Sequence, residues 1–220
     1  LSDSSIDTSL KDSEKRTPLM LAFDICRPFT ASRNECVNIL KEHEPYAWPL
    51  ATFRNDNGEP PLNAALEAKD EDAAEALLDG GDDPNEVDGD GQNALHMAAW
   101  KGCRLPLFHR ILGMIHNVNA GDNDGWTALM YAARYNHLDM VVSLMNHQGI
   151  DLNFQGWHNE TALHMAVGTN NPAIVAQLLS DDRVDTSLKN MGHYTPLKYA
   201  IYKELPECVK LLREHGAPEE

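Results

Sequence analysis

Hydrophobic and polar positions along the chain alternate between two kinds of block, most clearly over residues 122–153. Asp122-Asn123-Asp124-Gly125 has the composition of a tight turn, with the glycine free to take a positive φ. Thr127 then opens a short helix, its hydroxyl placed to cap free backbone N–H groups, and Leu129, Ala132 and Ala133 share one face. A break at Tyr135-Asn136-His137 leads into a second helix. In it Met140, Val141, Leu144 and Met145 recur at i, i+1, i+4 and i+5, the stripe of a half-buried helix. Gly149 is expected to close that helix before Asp151-Leu152-Asn153 runs outward.

The block is one copy of several. A short core recurs as Thr17-Pro18-Leu19-Met20, Pro60-Pro61-Leu62-Asn63, Asn93-Ala94-Leu95-His96, Thr127-Ala128-Leu129-Met130, Thr161-Ala162-Leu163-His164 and Thr195-Pro196-Leu197-Lys198, with steps of 43, 33, 34, 34 and 34 residues. A second match is independent of that core. Ile6-Asp7-Thr8-Ser9-Leu10-Lys11 recurs as Val184-Asp185-Thr186-Ser187-Leu188-Lys189, each eleven residues before its own Thr-Pro-Leu. The chain thus begins, on this reading, with the tail of a repeat (1–12), followed by repeats at about 13–54, 55–87, 88–121, 122–155, 156–189 and 190–220, all in a single domain spanning 1–220. Two short antiparallel helices and a turn cannot bury both faces alone. Stacked copies can, and the core then runs the length of the array.

A period of 33–34 with His96-Met97-Ala98-Ala99, Gly125-Trp126-Thr127-Ala128-Leu129 and His164-Met165-Ala166-Val167 at equivalent places resembles the ankyrin repeat. The resemblance covers about residues 6 to 217 and implies an all-α solenoid of helix–turn–helix units with projecting, β-hairpin-like turns. The departures are concentrated at the front. About six residues are added around Asp24-Ile25-Cys26-Arg27-Pro28-Phe29-Thr30 and about four near Trp48-Pro49-Leu50, where Pro28 and Pro49 oppose continuous helix and predict longer loops. Pro106 is expected at the start of a second helix.

Composition narrows the function. The 18 Lys+Arg against 34 Asp+Glu give a formal net charge of −16, a field that would repel a phosphate backbone, so nucleic acid is not an expected ligand. No apolar run approaches the roughly 18 residues of a membrane span. Cys26, Cys36, Cys103 and Cys208 lie too far apart for a CxxC motif and are too few for a disulfide scaffold. They read as reduced thiols of a cytoplasmic or nuclear protein, Cys36 and Cys208 as small core residues on second helices. Leu1 is not a Met, and no signal peptide follows it, so the chain is expected to be a piece of something longer.

Motifs for chemistry fail when tested. With Gly125 at the sixth position of an EF-hand loop, Asp122 and Asp124 fit, but Ala120 stands first and Tyr131 twelfth. With Gly91 there, Asp88 and Asp90 follow Glu86, but Met97 ends the loop. No metal and no cofactor is expected. No Gly-rich phosphate loop, HExxH or GxSxG occurs, and no catalytic residue is assigned. His96 and His164 hold the fourth place of the core and read as structural hydrogen-bond formers, since Met20, Asn63, Met130 and Lys198 replace them elsewhere. Asn159-Glu160-Thr161 is a glycosylation sequon that a reducing compartment would leave silent.

The ankyrin resemblance further implies a concave surface of turns and first-helix sides that binds another protein, the array being monomeric. Its variable positions carry over to Asp90, Gln92, Trp100, Lys101, Asp124, Trp126, Arg134, Tyr135, Trp157, His158, Glu160, Tyr194, Tyr202 and Lys203. Six of these are aromatic, which is either partial packing between turns or a set of anchors for a partner. Trp126, Tyr135 and Trp157 are the preferred anchors. Residues 67–90 hold eleven acids against the single Lys69, a density that Asp70, Glu71 and Asp72 at a helix start explain only in part. A basic, partly apolar partner segment would be steered there. Two narrower resemblances are to the inhibitors of NF-κB/Rel factors, through Leu152-Asn153-Phe154-Gln155, Gly102-Cys103 and Asn171-Pro172, and to methyl-lysine-reading ankyrin domains, through Gly125-Trp126-Thr127 and Tyr131. In the second, Arg134 stands where an acid is expected and would repel the ligand. A further alternative is a regulatory or substrate-recruiting domain of a larger enzyme, channel or ubiquitin-ligase subunit.

Overall fold

Asparagine or threonine side chains fold back onto the free N–H groups of their own helices at intervals of 34 residues, and these caps mark where four of the five first helices begin; Pro60, before the remaining one, makes no such bond. In the computed structural model, which describes residues 58–219, Asn93 accepts from Leu95 and His96, Thr127 from Met130, Thr161 from His164 and Thr195 from Lys198. The expected tail at 1–12 and repeat at 13–54 lie outside the described residues, with Thr17-Pro18-Leu19-Met20, Cys26, Cys36 and the loops around Pro28 and Pro49.

Among the described residues are ten α-helices in five pairs: α1 (Pro61–Glu67) with α2 (Glu71–Asp79), α3 (Ala94–Lys101) with α4 (Leu105–Met114), α5 (Ala128–Arg134) with α6 (Leu138–Met145), α7 (Ala162–Gly168) with α8 (Pro172–Leu179), and α9 (Pro196–Tyr202) with α10 (Pro206–Glu214). A single 3₁₀ turn, Trp157–Asn159, precedes α7. Proline stands in the first turn of α1, α4, α8, α9 and α10, where its missing N–H costs nothing, and Pro106 is one of these, as expected. Helices of seven to ten residues are too short to persist in isolation, so packing must hold them.

That packing runs in two rows. The first helices α1, α3, α5, α7 and α9 touch in succession, and so do the second helices α4, α6, α8 and α10. Leu62, Leu95, Leu129, Leu163 and Leu197 are buried at equivalent places in the first row, flanked by Ala65, Ala99, Ala133, Ala166 and Ala200, whose small side chains let neighbouring helices approach. The second row buries Phe108 and Ile111, Val141 and Leu144, Val175 and Leu178, then Cys208 and Leu212. Met140, Val141, Leu144 and Met145 are buried as their spacing predicts. Gly149 does not end α6, however. The helix stops at Met145 with Asn146 as its cap, and Gly149 takes φ +86° in the turn beyond, where the chain must reverse.

Hydrogen bonds tie each unit to the next. Asn85, Asn119 and Asn153 each span the junction: Asn119 donates to the Gly149 carbonyl (2.8 Å) while accepting from the Asp151 N–H (2.8 Å), and Asn153 does the same with Arg183 (2.7 Å) and Asp185 (2.7 Å). Asn85 bonds Met114 and His116 likewise. Ser187, in the next equivalent place, donates instead to Asp185 in its own turn. His96 and His164 perform the structural role expected of them. Nδ1 accepts from the N-cap N–H of Asn93 or Thr161, and Nε2 donates across the junction to the carbonyl of Ala120 (2.8 Å) or Tyr194 (3.0 Å). One ring nitrogen accepting and one donating requires the neutral imidazole. Burial holds both pKa values below the ordinary histidine value.

Two outcomes follow. Asn119→Ala removes two junction bonds and should lower stability by about 1 kcal/mol, seen as a lowered urea midpoint. Because the folded histidine pKa values lie below the unfolded value, the unfolded chain takes up protons first. The stability contributed by the neutral rings is full above about pH 6.5 and is lost as pH falls through the folded values. The urea midpoint should therefore drop between pH 7.5 and pH 5.5, and the double substitution His96→Gln, His164→Gln should shrink that drop.

Candidate functional site

The residues expected to meet a partner stand on two structures that alternate along the array: the fingertips between units, and the C-terminal ends of the first helices. Each regular fingertip is shaped by one side chain. Asp88 accepts from the N–H groups of Asp90 and Gln92, Asp122 from Asp124 and Trp126, and Asn190 from Gly192 and Tyr194. Adjacent fingertips are joined through the backbone, Asn123 N–H to the Asp90 carbonyl (2.9 Å) and Met191 N–H to the His158 carbonyl (2.7 Å). A lone bridge, Gly121 to Thr127, gives one finger its hairpin character.

The fingertip at 156–160 breaks the rule. Gly156 occupies the place of the shaping Asp, and a Cβ there would run into the Gly125 carbonyl oxygen, so no other residue fits. Shaping passes to Gln155, whose Nε2 donates to the carbonyls of Asn159 (2.8 Å) and Lys189 (3.1 Å). His158 and Asn159 both take left-handed backbone, φ 61° and 55°. Two consecutive strained non-glycine residues are held by their surroundings at a tip, the kind of place where strain serves recognition. They lift Trp157 outward, 54% exposed and, among the described residues, stacked only on His158 (centroids 5.6 Å apart).

The other expected aromatics fall into two clusters. In the first, Tyr131 is the hub: Trp126 lies 5.2 Å from it, Trp100 6.0 Å and Tyr135 6.4 Å, and Trp100 also meets Tyr135 at 6.1 Å. The Tyr131 hydroxyl donates to Asp122 (2.6 Å), and burial, reinforced by that carboxylate, pushes the phenol far above its ordinary pKa, so it stays a donor. Trp100 and Trp126 are half-buried, Trp100 covered by the Lys101 ammonium at 3.7 Å and Trp126 by the Arg134 guanidinium at 5.3 Å. Arg134 thus fills the ring face that a methylated lysine would need, on top of the repulsion expected from its charge. Tyr135 remains 43% exposed. In the second cluster Tyr194 stacks on Tyr202 (5.3 Å) and tilts against Tyr199 (6.3 Å), with Lys198 and Lys203 over rings of the cluster.

Asp90, Asp124 and Lys203 are exposed, and Lys101 and Glu160 half-buried. Gln92 is a correction: it is buried, its backbone carbonyl accepting from the Asn63 side-chain amide (2.8 Å), so it belongs to the junction and not to a free surface. Met191, 66% exposed, and Ile201, 43%, join the surface without having been singled out. Met191 had a signal, since it sits between Asn190 and His193 where Trp157 stands one finger earlier and Asn123 two fingers earlier. Ile201 had none, because only tertiary packing decides which side of a seven-residue helix stays open.

The acidic window is partly spoken for. Arg104 pairs with Glu71, Asp72 (3.0 Å) and Glu75 (3.6 Å), Arg110 with Asp79 (2.7 Å) and Lys101 with Glu67 (3.2 Å), while Asp70 caps α2. Surface pairs of this kind contribute only ~0–1 kcal/mol each, but they reduce the field left to attract a basic ligand. The exposed acids nearest the recognition side are then fingertip Asp90 and Asp124. Burial pushes the Cys103 thiol up to about 12 and raises that of Cys208, so neither is a thiolate. Among the described residues no group of three or more His, Cys, Asp and Glu side chains stands together as a metal site, and no helix is long and apolar enough to cross a membrane.

The exposures separate anchors from packing. Trp157→Ala should change stability by less than about 0.5 kcal/mol, whereas Trp100→Ala, which empties a stack between Lys101, Tyr131 and Tyr135, should cost about 2–3 kcal/mol. Parallel urea titrations check both.

Comparison with known proteins agrees with this architecture. Residues 29–107, 69–156 and 151–219 match the family of ankyrin repeats in three copies. The human "Neurogenic locus notch homolog protein 2" is 30% identical over 182 residues, covering 80% of this chain and 7% of that protein. The mouse "B-cell lymphoma 3 protein homolog" is 31% identical over 169 residues, 74% of this chain and 37% of the other. The chicken "Nuclear factor NF-kappa-B p105 subunit" is 28% identical over 173 residues, 76% and 17%. The chain thus spans well under half the length of these relatives. Ankyrin repeats are a general protein–protein interaction module, and this chain, an all-α stack of paired helices, belongs to the ankyrin-repeat family.

Proposed function

We propose that the chain is a non-catalytic recognition module that holds a segment of a partner protein along the face formed by its fingertips and first-helix ends, the concave face of an ankyrin stack. The observation that carries this reading is Trp157 raised into solvent on a strained fingertip, with Tyr135 and Tyr202 exposed on helix ends of the same row. Large aromatics left open to water have a use when a partner buries them, and such anchors typically contribute ~2 kcal/mol or more each. Trp126, half-buried on Tyr131, forms the inner edge of the same surface. A partly apolar segment fits, its basic residues directed to Asp90 and Asp124. The free Cys103 and Cys208 suit the cytoplasm or nucleus, and the array acts as a monomer.

A second reading within this class is binding of a Rel-type factor. It is favoured by the likeness to the p105 subunit of NF-kappa-B, and the Notch homologue, similarly close, points elsewhere. The small share of each relative that is covered also fits a recruiting domain inside a larger enzyme, channel or ubiquitin-ligase subunit.

Capture of partners from cell extract at low and high salt tests the reading. Trp126→Ala and Trp157→Ala should each weaken capture about tenfold or more while the helical circular dichroism of the array persists. Capture unchanged in both variants would falsify the assignment of this face.

A further inference from the structure

One fingertip takes its shape from the unit that follows it. The fingers at 88–92, 122–126 and 190–194 are each shaped from within, by Asp88, Asp122 or Asn190. At 156–160 Gly156 stands in that place and has no side chain to do so. The departure shows in the backbone. Asn159 takes positive φ where Gly91, Gly125 and His193 do as well, so left-handed backbone at that place belongs to every finger. His158 takes it alone, since among its equivalents Asp90, Asp124 and Gly192 none has positive φ. A non-glycine residue stays in that region only when its surroundings hold it there.

Those surroundings belong to the next unit. The Met191 N–H donates to the carbonyl of His158 (2.7 Å), the Gln155 side chain joins the carbonyls of Asn159 (2.8 Å) and Lys189 (3.1 Å), and the Asn190 side-chain amide donates to Glu160 (3.4 Å). The tie to the preceding unit is weaker. Asn123 and Met191 both donate from the backbone to the finger before them, to Asp90 and His158, whereas among the described residues Trp157, at the same place, makes no such bond to Asp124. Gly156 against Gly125 fixes only the base of the finger. The unit that supplies the ties is α9 with α10, packed on α7 and α8. Its Ile201 is 43% exposed where the equivalent Ala99, Ala133 and Val167 are buried, so it opens more readily than the units in the middle of the row.

We infer that Gln155 is a positioning residue for the Trp157 anchor, and that the anchor is set for a partner only while α9 and α10 are docked on α7 and α8. When that unit opens, Gln155 loses Lys189 and His158 loses Met191. The left-handed turn then relaxes, and the indole is no longer held in one place. A held indole spares a partner the entropy of fixing it. Coupling of this kind is reciprocal: a segment that binds the held indole better than the loose one stabilises the docked unit in return. This deepens the proposed function and rests on it.

Fluorine NMR of the full 220-residue chain labelled with fluorotryptophan tests the inference, the Trp157 line being assigned by its loss in Trp157→Phe. Gln155 is exposed, so its variants should keep the urea midpoint of the parent. Gln155→Ala, and Gln155→Glu, of the same size but with no proton to donate to a carbonyl, should each move the Trp157 line toward its value in urea. Leu197→Ala, which loosens α9, should move it too and leave the Trp126 line in place. Twelve-residue peptides are then selected on the chain from a phage library and kept only if Trp157→Ala abolishes their binding. They should bind Gln155→Ala about tenfold more weakly and slow hydrogen exchange in α9 and α10. A Trp157 line that stays in place in either Gln155 variant or ignores Leu197→Ala overturns the inference, as do peptides indifferent to Gln155→Ala or without effect on exchange. The recognition face stands in each of those cases. Selection of no peptide that depends on Trp157 overturns the recognition face, and the inference with it.

Discussion

An ankyrin unit has two short helices and cannot close its own core, so every unit here depends on the flat contact it makes with the next. Seven- to ten-residue helices have too few internal hydrogen bonds to offset the entropy of forming them, and their apolar stripes face sideways along the array, not inward to a centre. Burying those stripes between rows supplies most of the stability. Direction comes from a smaller set of bonds, because leucine and alanine faces would tolerate sliding. Asn85, Asn119 and Asn153, with His96 and His164, each connect a side chain in one unit to backbone groups of another and so fix the register at which the rows stack.

This division leaves the outer parts free. Because the junctions are held by half-buried asparagines behind the fingers and by buried histidines in the first turns, the tip at 156–160 carries little of the folding load. Strain can collect there: His158 and Asn159 hold left-handed backbone only because Gly156 is pinned against Gly125 and Gln155 is tied across to Lys189. The result is a rigid platform for one exposed indole. Tyr131 shows the opposite solution, an aromatic absorbed into structure through Asp122 and three neighbouring rings, two stacked and one tilted.

Charge follows the same logic. Acids on α2 and the end of α1 meet cations of the following unit, so much of the negative charge in that region is structural trim on the side of the stack. Among the described residues Arg134, Lys198 and Lys203 form no such pair and each lies over an aromatic ring.

The repeat period, the capping residues and the apolar stripes were legible along the chain, because each depends on residues within one or two helical turns of one another and recurs every 34 positions. So were the structural roles of His96 and His164, since a residue that recurs with the fold and is elsewhere replaced by Met or Lys cannot be shared chemistry. The site was legible only as a set of places. That Gln92 is buried, that Trp100 and Trp126 are half-covered while Trp157 stands clear, and that Arg104 takes up the acids of α2 follow from which surfaces of neighbouring units meet. Those contacts join residues about one repeat apart, and their outcome is set by the stacking geometry of the rows, which no local pattern of side chains encodes.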